Sequence, residues 1–316
     1  MGKILVIGSS NTDLIATVKK FPAAGETIAG TSFLQAMGGK GANQAVAAYR
    51  LGGDVKFVTC LGTDANGQNT LKYFRETGLD VSSALIVNDA PSGTAIILVD
   101  ENGENCIVIT PGANHRLLPN YINKITDDID ACDIVALQME IPYETVKTVC
   151  ELAHQRKKTI MLNVAPACHL DEELIKMIDI LVVNETEAET VSGANIAEIG
   201  EKAIVEKLLT MGAKTVVLTL GKQGCLLKNE QECLSIPAFQ VKAVDTTSAG
   251  DTFCGALAAR LARGEQWKDV LTFAAAASAV CVTRMGAQPS IPTKKETEEF
   301  LRSNIITNEK NQQIKN

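Results

Sequence analysis

The sequence predicts an α/β fold built on a mostly parallel sheet flanked by helices. Short β-branched runs that end in glycine or a polar residue recur along the chain, and each precedes a segment of helical pattern. That alternation is what a parallel sheet with covering helices produces. The 316 residues are also 46% hydrophobic and 21% charged, which supplies a sizeable core and excludes a disordered chain.

Taken in order, residues 4–7, 55–58, 134–137, 159–162, 180–183 and 215–220 read as strands. Their helical partners fall at 44–51, 67–77, 143–157, 171–178, 199–211, 251–262 and 267–283, and ligands are then expected at the carboxyl ends of the strands. Two stretches break the alternation. Residues 14–37 interleave short apolar pieces with Pro22, Gly25 and Gly30, and residues 92–109 read as a hairpin, 95–99 and 106–109, turned by Asp100-Glu101-Asn102-Gly103. Both suit a small sheet placed as a lid over strand ends, with Ile96 and Ile109 as side chains that select ligand size. The body so defined runs from 1 to 306; residues 307–316 are polar, nearly without apolar anchors, and expected to fray.

Composition excludes several function classes. Thirty basic and 37 acidic residues give a net charge of −7, which argues against a nucleic-acid protein held by phosphate neutralisation. Nine cysteines, odd in number, scattered and without a Cys-x-x-Cys, indicate neither a disulfide frame nor a zinc site, and a reducing cytoplasm fits best. The apolar stretch at 4–7 is too short for a signal peptide. The longest weakly polar run, 271–282, falls short of the ~20 residues that cross a bilayer, so no membrane partner is expected. His115, His154 and His169 have no metal-ligand spacing, and Trp267 reads as a packing anchor.

The strongest local signal is Val244-Asp245-Thr246-Thr247-Ser248-Ala249-Gly250-Asp251-Thr252-Phe253, a turn of small polar residues running into an apolar helix. Small residues let backbone N–H groups crowd a guest, and a helix start presents unpaired donors, which together make an anion site. Asp251 beside that site would repel a phosphate unless it were meeting a proton, the arrangement that phosphoryl transfer to a hydroxyl needs. The alternative is that Asp251 merely caps its helix. A second signal is Met37-Gly38-Gly39-Lys40-Gly41-Ala42-Asn43-Gln44. It lacks the hydroxyl that a Walker loop places after its lysine; its glycines permit close ligand approach, and Lys40 and Asn43 offer donors to a polyhydroxyl compound, or the segment is simply a turn entering a helix. Asn11 and Asp13 follow the first strand two residues apart, a spacing that suits vicinal hydroxyls or an Asx turn.

Gly38 to Gln44 and Asp245 to Phe253 resemble the two signatures of the ribokinase-like carbohydrate kinases. The likeness continues through Asn184-Glu185-Thr186-Glu187-Ala188-Glu189, Thr219-Leu220-Gly221-Lys222-Gln223-Gly224 and Thr283 to Ser290. It implies a Rossmann-like α/β domain with a small β-sheet lid, and transfer of the ATP γ-phosphoryl group to the 5-hydroxyl of ribose with magnesium. Asp251 would be the base and the backbone of Ser248, Ala249 and Gly250 the anion hole; glycine is commoner at position 248. By the same resemblance Asn11, Asp13, Gly39, Lys40, Gly41, Ala42, Asn43 and Glu140 contact the sugar. Asn184, Thr219, Leu220, Gly221, Lys222, Gln223, Gly224, Gly250 and Asp251 line the nucleotide. Asp245, Thr247, Cys281, Arg284, Gly286 and Ser290 hold a potassium-type cation, mostly through main-chain carbonyls. Ala275 stands where relatives often place histidine or asparagine, which implies looser purine contacts and relaxed nucleotide preference. Deoxyribose, another pentose or a nucleoside would suit the same family, and a catalytically dead sugar-binding regulator is the alternative of another class. A dinucleotide dehydrogenase is disfavoured because Gly8 does not open a Gly-x-Gly-x-x-Gly turn. An exposed lid edge, together with the resemblance, implies a homodimer formed through the lid.

Overall fold

In the computed structural model, residues 2–314 are described, with side chains to residue 304. The strands in chain order are β1 (Lys3–Ile7), β2 (Asn11–Thr17), β3 (Ser32–Gly38), β4 (Asp54–Val58), β5 (Cys60–Gly62), β6 (Leu85–Val87), β7 (Gly93–Val99), β8 (Asn105–Thr110), β9 (Ile134–Leu137), β10 (Thr159–Asn163), β11 (Ile180–Asn184), β12 (Thr215–Thr219), β13 (Cys225–Asn229) and β14 (Cys233–Ile236). The main sheet has the order β14-β13-β12-β11-β10-β9-β1-β4. It is parallel from β4 to β12 and antiparallel where β12 meets β13 and β13 meets β14.

The uninterrupted apolar runs have a direct cause, since both faces of this sheet are covered. Along β1, Leu5 and Ile7 join one core with Val146 and Val149 of the Tyr143–Gln155 helix. Ile4 and Val6 join the other, with Ala45 of the Lys40–Arg50 helix and Leu257 of the Ala249–Leu261 helix. The six expected strands are all present. The hairpin β13–β14 was not among them, because Cys225–Asn229 and Cys233–Ile236 carry lysine, serine and asparagine and lack the β-branched runs that mark the buried strands.

A second sheet, ordered β3-β2-β7-β8, forms the lid. The expected hairpin is β7–β8, and Ala95 pairs with Ile109. Strand β2 starts at Asn11, directly after the turn that leaves β1, so the lid grows out of the carboxyl end of the central sheet. Register assigns its faces: Asp13, Ala95 and Ile109 are cross-strand partners on one face, whereas Leu14, Ile96 and Val108 share the other. Ile109 therefore lies on the face of Asp13, and Ile96, expected to select ligand size, faces away.

The helix at the C-terminal end is Lys294–Ile314 and extends into the stretch whose composition marks it as a tail; residues 315 and 316 lie outside the described residues. No helix among the described residues is long and apolar enough to cross a membrane.

Two helices on one face, Lys40–Arg50 and Ala249–Leu261, touch backbone to backbone. At Gly255 a Cβ would lie 2.5 Å from Ala47 Cβ and 2.7 Å from the Ala48 nitrogen. Gly255→Ala must push the helices apart. Overpacking of ~1–3 kcal/mol is expected to lower the melting temperature by roughly 2–10 °C. Gly250→Ala, where a Cβ meets nothing within 4 Å, should not lower it; equal melting curves for the two variants by differential scanning calorimetry would show that the contact does not matter.

Candidate active site

The glycines of residues 38–41 bring a helix start onto the end of β1. Gly39 has φ 89°, in the left-handed region, and a Cβ on Gly41 would lie 2.5 Å from Gly8 C and Ser9 N. With that approach, Glu140, just beyond β9, accepts from the Lys40 N–H at 2.9 Å and from Ser9 Oγ at 2.5 Å. Ser9 Oγ in turn accepts from the Gly41 N–H at 3.3 Å. Ala42 differs from its expected role: it is 0% exposed, packed in the core, with its N–H bonded to the Ser9 carbonyl at 2.8 Å. It offers nothing to a ligand.

Asn11 and Asp13 are both buried on the same face of β2, so the Asx-turn alternative does not apply. Asn114, which the sequence reading missed, orients Asn11: its Nδ2 donates to Asn11 Oδ1 at 2.8 Å, and its Oδ1 accepts from the Ser10 N–H at 2.9 Å. Asn11 thus has its amide NH2 left for a guest, while Asp13 offers an acceptor. A donor and an acceptor side by side match two vicinal hydroxyls. At Gly38 any Cβ would overlap the Asp13 carboxylate.

Asp251 is not a cap. The helix begins two residues earlier, its N-cap is Ser248, and no side chain caps it. The Asp251 carboxylate instead accepts from Asn43 Nδ2 at 2.9 Å and from Gln44 Nε2 at 3.2 Å. Ser248 sits at φ 60°, a left-handed conformation costing about 1–2 kcal/mol outside glycine, and its Oγ accepts from the same Asn43 amide at 2.9 Å. Of the first N–H groups, that of Ala249 is engaged by the Thr246 carbonyl at 3.2 Å. Those of Gly250 and Asp251 have no hydrogen-bond partner among the described residues, and the space beside Gly250 is open. Unpaired donors facing open space at a helix start are what an anion site requires.

A cavity of about 220 Å³ opens on these donors and is lined by Lys40, Asn163, Asn184, Glu187 and Thr219 as well as the 248–251 turn. Lys40 therefore serves two sides: its backbone holds Glu140, and its side chain reaches the anion cavity. Burial alone would lower its ammonium, but Asp251, Glu140 and Glu187 raise it above the ordinary lysine value. Asn184 caps the next helix in a reciprocal box with Glu187, and burial, more than Asp251, pushes the Glu187 carboxyl up.

Other expected nucleotide residues lie outside this cavity. Leu220 is 8% exposed and belongs to the core; Gly221–Gln223 form a single 3₁₀ turn leading to Gly224. Ala275 is half-buried on the Trp267–Cys281 helix, one turn before Ser278, whose Oγ donates to the Ala249 carbonyl at 2.8 Å. Missed by the sequence reading were Gln44, Asn163 and Glu187. Asn163 had a signal, a polar residue at the carboxyl end of a strand, and Glu187 had another, the capping-box spacing after Asn184.

The six residues expected around a monovalent cation come from three segments that converge. Asp245 accepts from Thr247 Oγ1 at 2.6 Å, the Thr247 N–H at 2.9 Å and the Gly286 N–H at 2.9 Å. Burial would raise its carboxyl, and these bonds hold it below the usual carboxylate range. Cys281 Sγ meets Ser290 Oγ at 3.0 Å, and Arg284 Nη2 is tied to Glu296 at 2.6 Å. Among the described residues no group of three or more His, Cys, Asp or Glu side chains could hold a metal ion.

The family model described as pfkB family carbohydrate kinase matches residues 1–294. The chain is 42% identical to the ribokinase of Bacillus subtilis (strain 168) over 301 residues, covering 95% of this chain and 100% of that one. Its fold superposes on the crystal structure of ribokinase from Thermotoga maritima with TM-score 0.88 at 39% identity, covering 96% of this chain and 100% of the other. The structure of Arabidopsis thaliana ribokinase complexed with ribose and ATP gives TM-score 0.88 at 32% identity, covering 95% and 98%.

Burial first, and then the charges of Glu140 and Asp251, push the Asp13 carboxyl up to about 7. A folded-state value above the unfolded one means stability that is present below the unfolded value and is lost as pH rises through about 7. The melting temperature of Asp13→Asn should therefore gain on that of the wild type between pH 4.5 and 8. Two parallel curves of melting temperature against pH would show that Asp13 does not carry this strain.

Proposed function

The chain belongs to the pfkB family of carbohydrate kinases, and on that premise we propose that it transfers the γ-phosphoryl group of ATP to the 5-hydroxyl of ribose with Asp251 as base. The observation that carries this reading is the position of Asp251: its carboxylate bonds Asn43 of the glycine block, while its backbone N–H opens on the cavity that holds the Lys40 side chain. In the transfer, the hydroxyl gives its proton to the Asp251 carboxylate as its oxygen bonds to the γ-phosphorus, and the bond from phosphorus to the bridging oxygen breaks to release ADP. The N–H groups of Gly250 and Asp251 and the Lys40 ammonium spread the charge on the moving group.

Asn11, Asp13, Gly39, Asn43 and Glu140 are the sugar residues in this reading, and Asn184 and Thr219 are the nucleotide residues. The Asn11–Asp13 pair favours ribose, because a deoxy sugar leaves one buried partner unmatched. Glu187 would hold magnesium together with the phosphates; the fit rests on a buried carboxylate in the wall of the cavity, since this ion keeps several waters and needs only one or two protein carboxylates. When bound, magnesium supplies neutralisation of phosphate charge. Asp245, Thr247, Cys281, Arg284, Gly286 and Ser290 would hold a potassium-type ion, a reading supported by the convergence of their segments beside the anion-hole turn.

A homodimer through the lid completes the proposal. Strand β8 is one edge of this sheet, opposite β3, and is exposed along its whole length, and apolar side chains line both lid faces, Ile107 and Ile109 on one and Phe33, Ile96 and Val108 on the other. One face covers the site; the free edge and the outer face are what a second copy's lid would bury. Sedimentation should show a dimer at micromolar concentration that Val108→Lys weakens. Monomer alone for the wild type would remove the idea.

The catalytic reading is tested with ribose, deoxyribose, fructose and nucleosides, offered with ATP or GTP, magnesium, and potassium or sodium. Phosphorylated ribose, similar turnover with the two nucleotides, faster turnover with potassium, and a loss of roughly 10²–10⁴ in kcat for Asp251→Asn are expected. Preference for deoxyribose would reassign the substrate. Tight ribose binding with no transfer to any acceptor would make the protein a regulator instead.

A further inference from the structure

Asp251 stands at the end of a buried line of side-chain amides whose direction is set by the main sheet. The line starts at the Val182 carbonyl in β11, which can only accept. Asn163 donates Nδ2 to it at 3.2 Å, and this leaves its Oδ1 to accept from Gln44 Nε2 at 3.1 Å. Gln44 so turned directs the same NH2 at Asp251 Oδ1, 3.2 Å away, while its Oε1 accepts from Gln138 Nε2 at 2.8 Å. Asn163 and Gln44 cannot flip alone without breaking at least two bonds each, and a flipped Gln138 would set its oxygen against Gln44 Oε1, whose position Asn163 and Asp251 already fix. Water does not substitute for them either: Gln138 is 0% exposed, Gln44 1% and Asn163 8%.

Room for this line comes from Gly8, the glycine directly after β1. A Cβ on Gly8 would overlap Gln138 Oε1, the one buried amide oxygen of the line with no hydrogen-bond partner among the described residues. The hydrogen bond that the Gln138 side chain makes within the protein is thus the one it donates to Gln44.

We propose that Gln44 is a positioning residue for phosphoryl transfer: it presents a donor of fixed direction to Asp251 and so holds the carboxylate in the rotamer that meets the sugar hydroxyl. The proposal rests on the reading of Asp251 as base. Gln44 touches no reacting atom; it acts through Asp251, and Gln138 and Asn163 act through Gln44. A base misplaced by a fraction of an ångström loses its advantage in the transition state and leaves ground-state binding as it was.

The test is a set of kinetic constants for purified, folded variants, with folding checked by melting temperature. Gln44→Met keeps the volume and removes the donor; kcat should fall roughly 10- to 100-fold with the KM values for sugar and ATP unchanged within about twofold. Gln44→Glu places an acceptor against Asp251 and should lose more. Gln138→Leu should reduce kcat less, with the same split. The decisive comparison is non-additivity: added to Asp251→Asn, Gln44→Met should cost nothing further, since the group it positions is gone. A wild-type kcat for Gln44→Met overturns the proposal, as does an equal loss in both backgrounds, which marks a structural role. An active Asp251→Asn variant overturns the reading of the base itself, whereas an inactive one beside a fully active Gln44→Met overturns only the positioning.

Discussion

The contact on which the site depends is the direct approach of two helices to each other, and of one helix start to the turn after β1, with glycine where the backbones meet. Gly41 lies on the Gly8–Ser9 peptide, and Gly255 lies against Ala47 and Ala48. The short side chains of Asn43 and Gln44 span the gap to Asp251 only because that gap is so narrow. A helix pair at the ordinary separation of 8–10 Å between axes would need longer, floppier side chains to make the same bonds. The alanine-rich composition of the Lys40–Arg50 helix follows from the same constraint.

Electrostatics gives the site its second character. Asp13, Glu140, Asp251 and Glu187 gather around the single Lys40 ammonium, largely out of water, and the protein alone leaves the negative charge in excess. Such a cluster is costly to the free fold. It is suited to guests that bring hydroxyl donors to one side and a cation with phosphates to the other. Lys40, joined to Glu140 through its backbone and to the anion cavity through its side chain, couples the two sides in one residue.

The lid is the least self-sufficient part of the molecule. Its strand β2 carries Asn11 and Asp13, so a movement of the sheet would carry those two side chains with it. Its apolar residues point to both faces, and the main core covers neither fully. Closure over a guest and association with another lid would relieve the same exposed surface from opposite sides.

Much of this was readable from the chain alone. Runs such as Ile-Leu-Val-Ile at 4–7 declare strands covered on both faces, and the hairpin at 95–109 was legible from its alternation and its Asn-Gly turn, because these signals are local. Asp251 and the glycine block were also legible as a chemical pair, although whether Asp251 capped its own helix stayed open. Tertiary structure closed that question, since the partners of the carboxylate, Asn43 and Gln44, lie some two hundred residues away. The same reason hid Asn114 and Gln138: buried amides have no periodicity or motif, and their meaning arises only when distant strands set donor against acceptor. Ala42 shows the converse, a residue inside a ligand-binding motif that packing assigns to the core. Local patterns determine which elements form and where polar residues cluster; the direction of each hydrogen bond is a property of the assembled sheet.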